Sequence, residues 1–223
     1  MVICDSTISK KNYSPSYFRF SDMSFKNAVA LVAGGASGLG LATAQRIVAR
    51  GGHAVIMDLE RSNGREEAAK HANLKFVAGD ITSCNDVAGA VEFTKSSFNN
   101  RVDLAVQCAG IGTAFMTVSP KMSPEKRTAL FKKTIDVNLV GAFNFVTHVA
   151  EVMSTQDPRP VNPEDETIDH DSRGVILMTA SIAAMDGQRG QSGYSEFRFW
   201  FAENWQKVVL GLEKSIFRGG LTP

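Results

Sequence analysis

The residues with the clearest chemistry lie in one short run, Gly34-Gly35-Ala36-Ser37-Gly38-Leu39-Gly40. The spacing G-x-x-x-G-x-G places glycines where a backbone must turn sharply and let an anion approach closely. The run stands between an apolar stretch that reads as a strand and an amphipathic stretch that reads as a helix. In that setting the helix N-terminus offers unpaired N–H groups and the positive end of its dipole, so the predicted ligand is the pyrophosphate of a dinucleotide. Eighteen residues after Gly40, Asp58 closes the next apolar stretch. This is close to the offset of about 20 at which a carboxylate accepts hydrogen bonds from the adenosine ribose. A carboxylate there repels a 2′-phosphate and favours NAD over NADP, with Arg61 as the opposing feature.

Positioning these residues requires alternating strands and helices. "AVALVA" (28–33) reads as a buried strand, and in the segment after the glycines Leu41, Ala44, Ile47 and Val48 share one helical face. "HAVIMD" (53–58) is a second strand, 62–72 a helix, "LKFVAGD" (74–80) a third strand and 84–98 another helix. "VDLAVQCAG" (102–110) is a fourth strand, and a long helix follows Pro124 to about Met153. The Pro-rich acidic stretch 154–174 reads as a surface loop and "VILMTAS" (175–181) as the fifth strand. This alternation predicts an α/β fold, a parallel sheet with helices on both faces.

Composition narrows the function classes. With 223 residues, 43% of them hydrophobic, the chain can bury a substantial core. Lys plus Arg (24) nearly balance Asp plus Glu (23), which argues against a polyanion-binding surface over the whole molecule. Cys4, Cys84 and Cys108 form no C-x-x-C pair, and the four His are scattered, so neither a disulfide framework nor a metal site is expected. No apolar run reaches the roughly 20 residues of a membrane span. Residues 1–22 read as a disordered leader or a weak organellar presequence.

Further motifs in matching order carry a resemblance. Asp80-Ile81 looks like an Asp-apolar pair beside an adenine, and Gln107-Cys108-Ala109-Gly110 like a variant of an Asn-Asn-Ala-Gly turn. Asn138 lies in "DVNLVGAF", and Tyr194 follows Ser181 by 13 residues. On these motifs the chain, from about Ser24 to Ser195, resembles the short-chain dehydrogenase/reductases, although Ala33 stands where Thr is common before the glycine loop. The resemblance implies a Rossmann-like three-layer αβα fold and a bound NAD. "RGVILMTASIAAMDGQRGQSGYS" and its companions are similar to the branch acting on 3-hydroxyacyl-CoA and hydroxysteroid substrates. That likeness implies a mitochondrial location, a homotetramer and, for animal members, partners in mitochondrial tRNA processing.

The resemblance also implies roles. Tyr194 exchanges a proton with the substrate hydroxyl or carbonyl, Ser181 hydrogen-bonds the same oxygen, Asn138 holds a water in the proton path, and Gln188 contacts substrate. Bringing a Tyr from a pKa of about 10 to near 7 takes ~4 kcal/mol, and the family supplies part of it from a Lys four residues on. Here that position is Arg198. On a helix its cation stays on the same face, but a planar guanidinium that never deprotonates cannot copy an ammonium that passes protons. Reduced turnover is expected.

After Ser195 the likeness stops, and the sixth strand, substrate loop and seventh strand of the family are not recognisable. The sheet is therefore expected to be incomplete at its C-terminal edge, leaving the fifth strand exposed and removing part of the family's tetramer contact. Phe197, Phe201, Trp205, Val208, Leu212 and Ile216 recur at helical spacing. The chain thus divides into the leader (1–22), an NAD-binding dehydrogenase domain (23–195) and a divergent C-terminal helix and tail (196–223). Three readings follow: an NAD-dependent oxidoreductase with an impaired C-terminus, a dinucleotide-binding scaffold without turnover, or a non-functional truncated product.

Overall fold

The computed structural model describes residues 25–160, 171–181 and 190. The leader, the C-terminal helix, Gln188, Tyr194 and Arg198 lie outside the described residues. Five parallel strands form the sheet: β1 (Val29–Ala33), β2 (His53–Asp58), β3 (Leu74–Ala78), β4 (Leu104–Gln107) and β7 (Val175–Met178), in the order β3-β2-β1-β4-β7. The middle strand β1 is apolar at every position because both sheet faces are covered. All five residues of β1 are buried.

Side chains alternate across the strands and feed two cores. Leu31, Ala33, Val55 and Met57 pack with Val87 and Val91 of α3 (Cys84–Ser97) and with Phe145, Val149 and Met153 of α5 (Ala142–Thr155). Ala30, Val32, Ala54 and Ile56 pack on the other face with Ala44 and Ile47 of α1 (Gly38–Ala49). The short α2 (Gly64–Ala69) lies beside β3, where a Cβ on Gly64 would meet the Phe76 ring at 2.2 Å. It is shorter than the expected 62–72, because Lys70 and His71 already close tight turns onto Glu67 and Ala68.

Two further expectations change. The long helix after Pro124 is three pieces: α4 (Pro124–Ile135), a π-helical turn (Asp136–Gly141) and α5. The expected surface loop before the fifth strand contains a two-residue antiparallel pair, β5 (Arg159–Pro160) with β6 (Asp171–Ser172). Its ends are drawn together by Gln156, whose Oε1 accepts from Val102 N–H at 3.1 Å and whose Nε2 donates to the carbonyls of Val102 (2.8 Å) and Arg173. Arg173 returns a bond to the Gln156 carbonyl at 3.1 Å. Among the described residues β7 is a sheet edge, with β4 alone beside it. No helix among them is long and apolar enough to cross a membrane.

The chain runs outward from β1 through β2 to β3, then returns to place β4 on the opposite side of β1. The crevice at the carboxyl ends of β1 and β4 is the topological switch point, where open α/β sheets take their ligands. The fold also makes Phe145, fully buried between the sheet and α3, a main support of that face. Phe145→Ala should cost about 3–5 kcal/mol, read as a lowered urea midpoint at unchanged slope; a loss below about 1 kcal/mol would contradict this packing.

Candidate functional site

The turn from β1 into α1 is shaped by close backbone contacts. Gly34 has φ +71°, and a Cβ there would lie 2.5 Å from the Ala109 nitrogen. A Cβ on Gly40 would lie 2.2 Å from the Gly34 carbonyl oxygen. Both glycines are therefore required by the fold itself, one joining the loop to β4's turn and the other closing it on α1. Gly38 differs: its φ is +53°, but a Cβ there would meet nothing within 4 Å. The loop is thus packed on its inner side and open at Gly38, with Ser37 and Leu39 exposed beside it. The first helical bond runs from Leu41 N–H to the Ser37 carbonyl at 3.1 Å, so the N–H groups of residues 38–40 precede any intrahelical acceptor. No acidic side chain occupies the first turn of α1. This end of the helix suits an anion.

Asp58 ends β2 next to that opening. Its Oδ2 accepts from Ala36 N–H at 3.0 Å and its Oδ1 from Leu59 N–H at 2.8 Å. The carboxylate is thereby fixed while each oxygen keeps acceptor capacity for a ligand hydroxyl. Asp80 is exposed and its Oδ1 accepts from both the N–H (2.9 Å) and hydroxyl (2.8 Å) of Thr82. Ile81 is 6% exposed with its side chain in the core under α3 and α5, and its carbonyl accepts from Asn144 Nδ2 at 2.8 Å. A contact from Ile81 to a bound base therefore falls to its backbone.

At the end of β4, the Gln107 side chain, 2% exposed, donates through Nε2 to the Ala109 carbonyl at 2.6 Å and holds the Cys108-Ala109-Gly110 turn. Cys108 N–H bonds the Ala33 carbonyl at 2.9 Å, and burial pushes its thiol pKa up. Gly110 faces Asn138, whose Oδ1 would be 3.1 Å from an added Cβ. Asn138 is fully buried, and its amide pairs reciprocally with the backbone of Ile111: Oδ1 accepts from Ile111 N–H at 2.7 Å and Nδ2 donates to Ile111 O at 2.8 Å. It sits in the π-helical turn, a device that re-aims residues at functional sites. Gly141 ends that turn against Ile81, where a Cβ would fall 2.8 Å from Ile81 Cγ2.

Ser181 follows β7 by three residues, as Gly110 follows β4. Met178 pairs with Gln107, and Thr179 N–H continues the ladder to the Gln107 carbonyl at 3.1 Å. The structure therefore gathers the glycine loop, Asp58, the 108–110 turn, Asn138 and half-buried Ser181 at one end of the sheet. Sequence reasoning missed Gln107 as the holder of the turn. It also missed Thr113, whose hydroxyl pairs with that of fully buried Thr134 at 2.7 Å, and Phe115, whose N–H donates to Gly190 O at 2.7 Å. The position of Thr134 four residues before Asn138, hence on the same helical face, was an available signal. Nothing local marks the Phe115–Gly190 contact.

Known proteins share this fold. Residues 28–196 match the sequence pattern of the family described as short chain dehydrogenase. Over 173 residues the chain is 43% identical to the 3-hydroxyacyl-CoA dehydrogenase type-2 of Bos taurus, covering 77% of this chain and 62% of the relative. The Homo sapiens protein of the same name shows the same identity and coverage. The chain thus spans 62% of the length of these two relatives. Among solved structures, the 3-hydroxyacyl-CoA dehydrogenase type-2 from Mycobacterium avium superposes with a TM-score of 0.73 at 32% identity, over 85% of this chain and 70% of that one. An NAD+-bound xylitol dehydrogenase gives a TM-score of 0.70 at 25% identity, over 86% and 67% respectively.

The two glycine environments predict different outcomes. Gly38→Ala should cost only the left-handed penalty of about 1–2 kcal/mol, whereas Gly34→Ala adds a collision with the Ala109 backbone and should cost clearly more. Urea unfolding measures both, and equal midpoints would refute the close approach. Alkylation by iodoacetamide at pH 8, followed by peptide mapping, should find Cys108 lagging exposed Cys84 by about tenfold or more, since the thiolate is the nucleophile; equal rates would contradict the burial of Cys108.

Proposed function

The chain belongs to the short chain dehydrogenase family, and from that membership we propose that it is an NAD-dependent oxidoreductase acting on a secondary alcohol or ketone, with 3-hydroxyacyl-CoA or a hydroxysteroid as substrate. The observation that carries the proposal is the open glycine cradle at Gly38 with the fixed Asp58 carboxylate beside it. These residues fit a dinucleotide: the N–H groups of 38–40 would bind the pyrophosphate, and the remaining lone pairs of Asp58 would accept the adenosine ribose hydroxyls. A 2′-phosphate would meet the Asp58 charge, so NAD is preferred over NADP. When bound, the nicotinamide supplies the hydride acceptor or donor.

In this reading residues 23–195 form the dinucleotide-binding unit. The Ser181 hydroxyl orients the substrate oxygen and stabilises charge on it, Tyr194 gives or takes the proton there, and Gln188 contacts the substrate. The Asn138 side-chain amide is fixed by its two bonds to Ile111, and in this reading Asn138 holds a water in the proton path. Arg198, four residues after Tyr194 in sequence, carries a positive charge but cannot relay a proton, which in this reading lowers turnover. The same reading takes the protein to be mitochondrial.

A second reading, dinucleotide binding without turnover, is favoured by Arg198. Turnover decides between them, followed at 340 nm with acetoacetyl-CoA plus NADH and with 3-hydroxybutyryl-CoA plus NAD. The oxidoreductase reading expects slow turnover, lost about 100-fold in Ser181→Ala and raised in Arg198→Lys. NADH binding with no turnover in either direction, even in Arg198→Lys, would establish the scaffold instead.

A further inference from the structure

We propose that the Asp58 carboxylate is the latch that holds the glycine-rich loop in its binding shape, in addition to reading the ribose, so that neutralising it weakens both NADH and NADPH instead of exchanging one preference for the other. The proposal rests on the dinucleotide reading above and deepens it. Where an acid at this position acts on the ligand alone, its removal lifts the repulsion of a 2′-phosphate and NADPH binds more tightly. The contacts in this chain lead to a different expectation.

The loop between β1 and α1 is tied to the end of β2 by three N–H bonds. Gly34 and Gly35 both donate to the Met57 carbonyl, at 2.9 and 3.3 Å. Ala36 donates to Asp58 Oδ2 at 3.0 Å, the one tie of the three that a side chain supplies. Ala36 is 6% exposed and immediately precedes Ser37, the N-cap of α1. Behind the loop, Ile56 fills the space at Gly35, where a Cβ would fall 2.6 Å from the Ile56 side chain. The loop therefore rests on β2 from below and is fastened at its far end by a charge-assisted bond, a class roughly twice as strong as a neutral one.

Without the carboxylate, the buried Ala36 N–H loses its acceptor, and such a group must either stay unpaired at a cost or move toward water. Movement there displaces Ser37 and Gly38, and with them the N–H groups that would meet the pyrophosphate, which both dinucleotides share. Asp58 is thus a positioning residue for the anion cradle. The opposite oxygen is engaged as well, by Leu59 N–H at 2.8 Å. An asparagine puts an NH2 group at the position of one of the two oxygens, so in the same geometry one of these two N–H groups faces a donor and loses its acceptor.

The test uses the full chain, unchanged and as Asp58→Ala and Asp58→Asn, with two measurements. Amide hydrogen exchange of the cofactor-free protein should rise about tenfold or more at residues 36–40 in the alanine variant and by less in the asparagine variant, with β4 and α5 unaffected. Calorimetric titration should show NADH and NADPH both weakened in the alanine variant. Unchanged exchange in the loop, or tighter NADPH binding by Asp58→Ala, overturns the proposal. Should Asp58→Ala not fold, the exchange of Asp58→Asn decides it. If the unchanged chain binds neither dinucleotide, the functional reading fails by itself, while the exchange measurement still judges the latch.

Discussion

The Gly34 backbone lies against the Ala109 backbone so closely that a single added carbon would stand 2.5 Å from the Ala109 nitrogen. This contact forms where the chain reverses its direction of travel across the sheet, and it sets the spacing between the loop after β1 and the turn after β4. Everything at the candidate site is referenced to it. The turn is held from one side by Gln107 Nε2 on the Ala109 carbonyl and from the other by Asn138 on Ile111. The loop is held by Gly40 packing on Gly34 and by Asp58 on Ala36. A larger residue at position 34 would force the loop after β1 and the turn after β4 apart.

The second constraint is the break in the helix that carries Asn138. A continuous α-helix through 124–155 would present its side chains at one steady rotation; the π-helical turn inserts a residue and shifts the phase between α4 and α5. Thr134 can then meet Thr113, Asn138 can span both polar groups of Ile111, and Gly141 can pass close to Ile81. Downstream, α5 resumes with Phe145, Val149 and Met153 in the core. Irregular geometry at the site is thus supported by regular packing one turn later.

Much of this was legible in the residues. The apolar run 28–33 read as a strand because both of its faces are buried, and 53–58 coincided with β2 because Asp58 ends the run at the crevice. The glycine spacing and Asp58, read together in the sequence, lie together at the carboxyl ends of β1 and β2. The π-helical turn was not legible, since apolar residues at three- and four-residue spacing look the same with or without one extra residue. Ile81 was read as lying beside an adenine; its side chain is in the core, so burial by itself accounts for its apolar type. The β5–β6 pair and the Phe115–Gly190 bond join residues far apart in sequence through backbone groups, for which residue type carries no signal.

The central claim is that this end of the sheet holds a dinucleotide. Equilibrium titration of the purified chain with NADH, followed by the enhancement and blue shift of nicotinamide fluorescence and reversed by competing NAD, tests it most directly. Saturable binding at one site per chain, weakened by Gly38→Val in a protein that remains folded, is the predicted result. A folded chain whose titration stays linear to millimolar NADH would contradict the account.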